Sequence, residues 1–229
     1  GVFKTANGGR SWRAMSKGLP PDPNPWALAV DPRRTDTVYL AMDGSGVFKT
    51  TDGGRSWNAT GLQSGALALV IDPRSPATVY AGTGGRGVFK STNGGSSWRW
   101  LPPGVSGRSQ EYVLALAIDP RETNVLYAAP RGSGIVKSTT GGQGWRSMSR
   151  GLTASVVLAI ALDPLGVDGS SVYAGTRGGE VFRSATGGRS WTKPPGVQAY
   201  DVFAFAIDPK TPATAYAATD LGVFKSTDG

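Results

Sequence analysis

Apolar residues along the chain gather into five dense blocks, each running into Asp-Pro or a close variant and then into a second short apolar run. The blocks read WALAVDPRRTDTVYLAM, ALALVIDPRSPATVYAGT, VLALAIDPRETNVLYAA, VLAIALDPLGVDGSSVYAGT and VFAFAIDPKTPATAYAAT. Between them lie near-copies of another segment: GVFKTANGGRSW from Gly1, GVFKTTDGGRSW from Gly46, GVFKSTNGGSSW from Gly87, GIVKSTTGGQGW from Gly134, EVFRSATGGRSW from Glu180 and GVFKSTDG from Gly222. The first glycine of each turn (Gly8, Gly53, Gly94, Gly141, Gly187, Gly229) marks steps of roughly 40 to 50 residues, a period typical of propellers and solenoids.

Each repeat predicts four short strands, A to D, placed in the first full unit at 27–30, 38–41, 47–50 and 56–59. Strand A is apolar at nearly every position instead of alternating, as expected of a strand covered on both faces. Asp-Pro then makes a tight exit, because proline fixes its own φ and the Asp carboxylate can accept from nearby backbone amides. Asp31, Asp72, Asp119, Asp163 and Asp208 are therefore expected as turn residues, the alternative being a carboxylate ring.

The C-to-D connection carries Asn7, Asp52, Asn93 or Asp228 followed by glycine, which supplies the positive φ that a tight hairpin needs. Trp12, Trp57, Trp98, Trp145 and Trp191 follow and are expected to anchor the turn in the core. The pattern resembles the Asp-box, or bacterial neuraminidase repeat, of sialidases, sortilin-type receptors, xyloglucanase-like hydrolases and photosystem assembly propellers. The resemblance covers nearly the whole chain. It implies a propeller, with the boxes as structural turns on a rim away from any active site. Thr140 and Thr186 depart from the box, and their turns are expected to lack the side-chain acceptor.

The expected fold is all-β, a single β-propeller domain over 1–229 built of four-stranded antiparallel blades. Strands C and D of a partial blade fall at 1–17, full blades at 26–61, 66–101, 112–149 and 155–193, and strands A to C of a last blade at 202–229. Propellers carry roughly 4 to 8 blades. Either the N-terminal strand D completes the last blade and closes a five-bladed ring, or the chain is part of a six- or seven-bladed one. Starting on strand C without a Met and stopping inside a box fits the second reading, while the strand inventory favours five.

Composition fits many short strands and tight turns, with 34 Gly and 16 Pro in 229 residues. No stretch reaches the roughly 20 apolar residues of a membrane span, and these residues show no signal-peptide pattern. With no Cys and no His, disulfides, thiolate chemistry, the usual zinc sites and His-based catalysis are excluded, and neither cofactor nor metal is expected. The resemblance implies an extracytoplasmic protein, secreted, periplasmic or at the cell surface. Asn58-Ala59-Thr60 matches the N-glycosylation triplet.

A formal charge of +8 directs attention to where the cations sit. Lys4, Lys49, Lys90, Lys137, Arg183 and Lys225 recur on strand C, where an aliphatic stem can cover apolar surface while its charge reaches water. Arg33, Arg34, Arg74, Arg121 and Lys210 recur in A-to-B turns, and Arg10, Arg55 and Arg189 in C-to-D turns. Both kinds of turn leave a blade on the same side, so one face should be basic and could attract an anionic partner. Nucleic acid is disfavoured, since no stacking platform of aromatics is interleaved with these cations.

Function is expected in residues that break the repeat, on the opposite face, where the D-to-A and B-to-C connections run. Trp26, Trp100, Tyr112 and Tyr200, with Arg108, Arg131 and Arg177, are of the types that dominate binding hot spots. The bland reading of Trp26 and Tyr112 is as core plugs at the start of strand A. Pro20-Pro21, Pro102-Pro103 and Pro194-Pro195 stiffen these loops. Enzymatic candidates there are the carboxylates Asp22, Asp43, Glu111, Glu180, Asp201 and Asp220, since a glycosidase needs a spaced pair. The reading favoured is a non-catalytic module that binds or scaffolds a protein or glycan, probed at Trp100, Arg108 and Tyr200. The alternative is a fragment of a secreted glycoside hydrolase, probed at Asp43, Glu180 and Asp220.

Overall fold

The computed structural model describes residues 1–101, 111–165, 171–197 and 199–229. These residues form antiparallel sheets with no helix. The first unit holds β1 (Phe3–Lys4) and β2 (Arg13–Ala14), paired as a two-stranded sheet. The next holds β3 (Pro25–Val30), β4 (Val38–Met42), β5 (Gly46–Thr50) and β6 (Asn58–Ala59) in simple meander order. Strands β7 (Ala66–Ile71), β8 (Val79–Gly85), β9 (Gly87–Ser91) and β10 (Arg99–Leu101) repeat it, as do β11 (Glu111–Ile118), β12 (Leu126–Pro130), β13 (Val136–Ser138) and β14 (Arg146–Ser147). The last two units are three-stranded: β15 (Val157–Leu162), β16 (Val172–Thr176), β17 (Val181–Ser184), then β18 (Val202–Ile207), β19 (Ala215–Thr219), β20 (Gly222–Ser226).

Departures from the ideal meander have local causes. After β17, among the described residues, Thr192 alone bridges Arg183. Pro194 and Pro195 follow at once, and proline cannot donate to a ladder. In the middle of the chain, β8 and β11 run long and pair at Glu111↔Gly85 and Tyr112↔Gly84, joining two units into one eight-stranded sheet. Among the described residues, strand D of the first unit does not pair with the last sheet. That strand, β2, pairs with β1, and β20 pairs with β19 alone among the described residues.

Packing follows the repeat. Each A strand slips register at the same place, between Pro25/Ala27, Ala66/Ala68, Val113/Ala115, Val157/Ala159 and Val202/Ala204. Such a bulge twists a strand locally and re-aims a side chain. Between units, one face offers small residues plus a tyrosine and the next offers larger ones. Ala115, Ala117, Tyr127 and Ile135 meet Val157, Val172, Phe182 and Trp191 in one cluster. Ala27, Ala29, Tyr39 and Val47 meet Leu69, Ile71, Phe89 and Trp98 in another.

Polar contacts reinforce the same seams. Tyr and Lys or Arg are direct cross-strand partners in every B–C pair, as in Tyr39↔Lys49 and Tyr127↔Lys137. Each cation lies over its tyrosine ring, 4.9 Å away for Lys137 and 5.0 Å for Lys90. The charges do not simply reach water. Lys4, Lys49 and Lys137 donate to the carbonyls of Gly53, Gly94 and Gly187 in the following unit's turn. The hydroxyls of Tyr80, Tyr127 and Tyr173 donate to Gly141, Gly187 and Gly229 in the same way. Burial is the main reason that Lys49 and Lys137 are shifted down and Tyr127 up from their usual pKa values.

Candidate binding rim

The two ends of each sheet are distinct. The A-to-B turn and the following box lie together, since Gly53, Gly94, Gly141 and Gly229 donate their amides to Asp36, Ala77, Asn124 and Ala213. Each Asp-Pro carboxylate described caps its own turn, Asp31 accepting from Arg33 and Arg34 amides at 2.8 and 3.2 Å and Asp119 from Arg121 and Glu122 at 2.8 and 3.2 Å. The box closes similarly. Asp52 Oδ1 accepts from the Thr50 hydroxyl and the Ser56 amide at 2.7 and 3.0 Å, and Oδ2 from the Ser56 hydroxyl. The Ser56 hydroxyl, then that of Thr50, hold the Asp52 carboxyl well below the usual carboxylate range.

Asn7 and Asn93 keep the two Oδ1 bonds, and their Nδ2 donates to the Ser11 and Ser97 hydroxyls where the Ser56 hydroxyl donates to Asp52. Asp228 accepts from Ser226. The expectation that Thr186 lacks an acceptor is corrected, because its hydroxyl accepts from the Ser190 amide at 3.0 Å. Thr140 contacts the Ser138 hydroxyl at 3.3 Å. Trp57, Trp145 and Trp191 are buried as expected and Trp98 is half-buried, but Trp12 is 62% exposed.

All eight cations assigned to the turns, Arg10, Arg33, Arg34, Arg55, Arg74, Arg121, Arg189 and Lys210, are exposed. Several are also tethered. Arg33 donates to the Arg74 carbonyl at 2.7 Å and Arg121 to that of Leu165 at 3.1 Å, each lacing one unit's turn to the next. Arg34 pairs with Asp31 at 3.4 Å.

At the opposite end, B-to-C loops meet the starts of A strands. Asp43, Gly84, Arg131, Arg177 and Asp220 donate their amides to Asn24, Gly65, Tyr112, Val156 and Asp201. Here the structure gathers several of the residues that depart from the repeat. Trp100 is 54% exposed, and its indole N–H donates to the Arg86 carbonyl at 2.8 Å. The Arg86 backbone forms an isolated parallel β-bridge with that of Glu111, and Tyr112, 43% exposed, stacks beside Gly84. The Arg131 amide donates to Tyr112 at 2.8 Å. Trp100, Arg86, Tyr112 and Arg131 thus surround the β8–β11 pairing. Arg86 was missed in the sequence because nothing marks a lone Arg between Gly85 and Gly87 until the strands are joined.

A second group lies one unit further on. The Arg177 backbone forms an isolated antiparallel β-bridge with that of Asp201, and the Gly178 amide donates to the Tyr200 carbonyl at 2.6 Å. Tyr200 is 76% exposed. Asp220 Oδ1 accepts the amides of Tyr200 and Asp201, both at 2.9 Å, and these bonds, that of Asp201 foremost, lower its pKa. Glu180 pairs with Lys193 at 2.7 Å. Two of the three probed carboxylates therefore hold rim geometry. Trp26 stands apart beside Phe3 and Leu28. It is 55% exposed at the bulge of β3 and does not plug the core, and neither does Tyr112. Arg108 and the pair Pro102-Pro103 lie outside the described residues. Among the described residues no cluster of acidic side chains could hold a metal ion, and no helix is long and apolar enough to cross a membrane.

The family model for the photosynthesis system II assembly factor YCF48 matches residues 2–223. The chain belongs to the YCF48 family. Solved structures similar to this YCF48-family chain include an ancestral GH74 enzyme, 21% identical with a TM-score of 0.79, covering 98% of this chain and 33% of that one. YCF48 bound to D1 peptide is 17% identical with a TM-score of 0.69, covering 98% and 70%. The extracellular domain of the putative one-component system BT4673 from B. thetaiotaomicron is 16% identical with a TM-score of 0.72, covering 94% and 28%. The chain thus spans about a third of the length of the GH74 enzyme. No curated protein sequence matches the chain. At these identities the likeness establishes a β-propeller-type fold for this YCF48-family member.

Proposed function

We propose that this chain is a non-catalytic binding or scaffolding propeller that holds an extended protein segment against the rim around Trp100, Arg86, Tyr112 and Arg131. The observation that carries this reading is the rim itself. Two half-exposed aromatics and two exposed arginines sit on a backbone stiffened by the β8–β11 pairing, so little ordering entropy is lost on docking. Tyr and Trp give large contact area, and Arg gives a charged fork for carboxylates. The YCF48 relative bound to a D1 peptide supports a peptide partner over a glycan. An extracytoplasmic location is part of the same proposal.

Calorimetric titration with the D1 peptide as probe tests the reading. Trp100→Ala with Tyr112→Ala should weaken binding by about tenfold or more, the scale of one hot spot. Asp43→Asn, Glu180→Gln and Asp220→Asn together should leave it within about threefold, since 0.7 kcal/mol separates a bystander from a contact. Unchanged affinity in the aromatic variant would remove the rim from the account.

A further inference from the structure

One seam inside the chain is packed less tightly than its counterparts. In three seams a leucine that follows strand D shares a cluster with the next box tryptophan and a C-strand phenylalanine: Leu19 with Trp57 and Phe48, Leu62 with Trp98 and Phe89, Leu152 with Trp191 and Phe182. Beyond the leucine, the connection to the next A strand runs through 20–24 in the first seam and 153–156 in the third, but only 63–65 in the second. Phe48, Trp57, Phe182 and Trp191 are buried. At the short connection, Phe89 and Trp98 are half-buried and line a cleft of about 540 Å³. Four-stranded units flank this seam on both sides.

The rest of the lining is backbone and polar groups. The Gly61 amide donates to the Gly95 carbonyl at 3.2 Å and the Leu62 amide to the Thr60 hydroxyl at 3.4 Å, while the Gly65 carbonyl accepts from the Gly84 amide at 2.9 Å. Between these anchors, the amides of Gln63, Ser64 and Gly65 and the carbonyls of Gln63 and Ser64 have no hydrogen-bond partner among the described residues. A Cβ on Gly65 would come within 2.6 Å of the Gly44 amide nitrogen, so this row of main-chain groups is held close against the preceding unit. Arg86 lines the cleft and also accepts the Trp100 indole on its carbonyl, which makes cleft and rim continuous. Unpaired main-chain groups beside a pocket suit an extended peptide, whose backbone pairs with the row while a side chain enters the pocket. We infer that 63–65 binds the main chain of the extended segment and that one apolar side chain of that segment rests on Phe89 and Trp98, an assignment that rests on the binding role proposed for the rim. The side chain leaves water for two aromatic faces, and the fixed row loses little freedom on pairing.

Calorimetric titration of the chain with the D1 peptide tests this separately from the rim. Ser64→Trp, which puts an indole into the cleft, should weaken binding about tenfold or more, and Ser64→Ala should leave it within about threefold. A second measurement leaves the protein unaltered, so it decides even where the tryptophan variant unfolds. D1 peptides N-methylated at one residue at a time lose a donor and gain a methyl group where the two chains should meet, and at least one should bind the wild-type chain about fivefold or more weakly. Affinity that Ser64→Trp and every N-methylation leave within about threefold, while Trp100→Ala with Tyr112→Ala still weakens it, would overturn the cleft assignment and keep the rim. The reverse pattern would keep the cleft and overturn the rim. A loss with Ser64→Trp and with no N-methylated peptide would overturn the main-chain contact. No binding of the peptide by the wild-type chain would overturn both sites. Binding of the neutral saccharide cellotetraose that Ser64→Trp abolishes would assign the cleft to a glycan and equally overturn the peptide assignment.

Discussion

In five successive boxes the carbonyl of the first glycine receives a hydrogen bond from a lysine or tyrosine of the unit before it. Where both donate, as Tyr127 and Lys137 do to Gly187, the loss of one leaves the other. Tyr127→Phe should therefore cost about 1 kcal/mol, near the net worth of one hydrogen bond, read as a shift in urea midpoint at constant slope. The recurrence of Lys on strand C was legible in the sequence, but its destination was not, because the accepting carbonyl belongs to another unit some 40 to 50 residues on. The box carboxylate was legible in both respects, since its partners are two and four residues away. Asp52 titrates below its unfolded value near 3.9. Its contribution to stability is thus complete above about pH 4 and is lost as pH falls toward the folded value. Asp52→Asn should keep the turn, as Asn93 does, and should flatten the fall in urea midpoint below about pH 4. An unchanged acid profile would assign the box carboxylate no part in it.

Among the elements, the tryptophan after each box shows how much a neighbouring unit matters. Trp57 and Trp12 follow identical Gly-Gly-Arg-Ser sequences, yet one is 4% and the other 62% exposed. Trp57→Ala should cost about 3–5 kcal/mol through lost burial and the cavity left behind. Trp12→Ala should change the stability of the isolated chain by less than about 0.5 kcal/mol. Equal costs in thermal unfolding would contradict the packing described. Strand existence and order were readable from the apolar blocks, the Asp-Pro exits and the Gly-Gly turns. The bulge in every A strand was not, because a strand that is apolar throughout carries no alternation whose interruption could be seen. Trp26, at the extra position of β3, lies exposed, whereas Leu67 at the same position of β7 is buried. The reduction of the fifth D strand to one bridge at Thr192 follows from Pro194 and Pro195, whose place in the sequence was noted only for stiffness.

For the molecule as a whole, the repeat makes a laced scaffold with two unlike ends, one of boxes and cations, the other of loops that break the pattern. The sequence showed the separation of these ends because turn chemistry recurs and loop chemistry does not. It could not show the rim, since Trp100, Arg86 and Tyr112 meet only through the β8–β11 pairing. We propose that the turn end, with its eight exposed cations, binds the polyanion heparin with an affinity that falls steeply as salt rises. Arg10→Glu, Arg55→Glu and Lys210→Glu together should abolish most of that binding without moving the unfolding midpoint, whereas salt-insensitive binding would contradict an electrostatic face. The central claim is that partner recognition resides on the other end. Its most direct test is the affinity of the peptide probe for the wild-type chain and for the Trp100→Ala, Tyr112→Ala double variant, measured side by side. The account predicts a loss of about tenfold or more with unchanged thermal stability. Equal affinity for the two chains would contradict it.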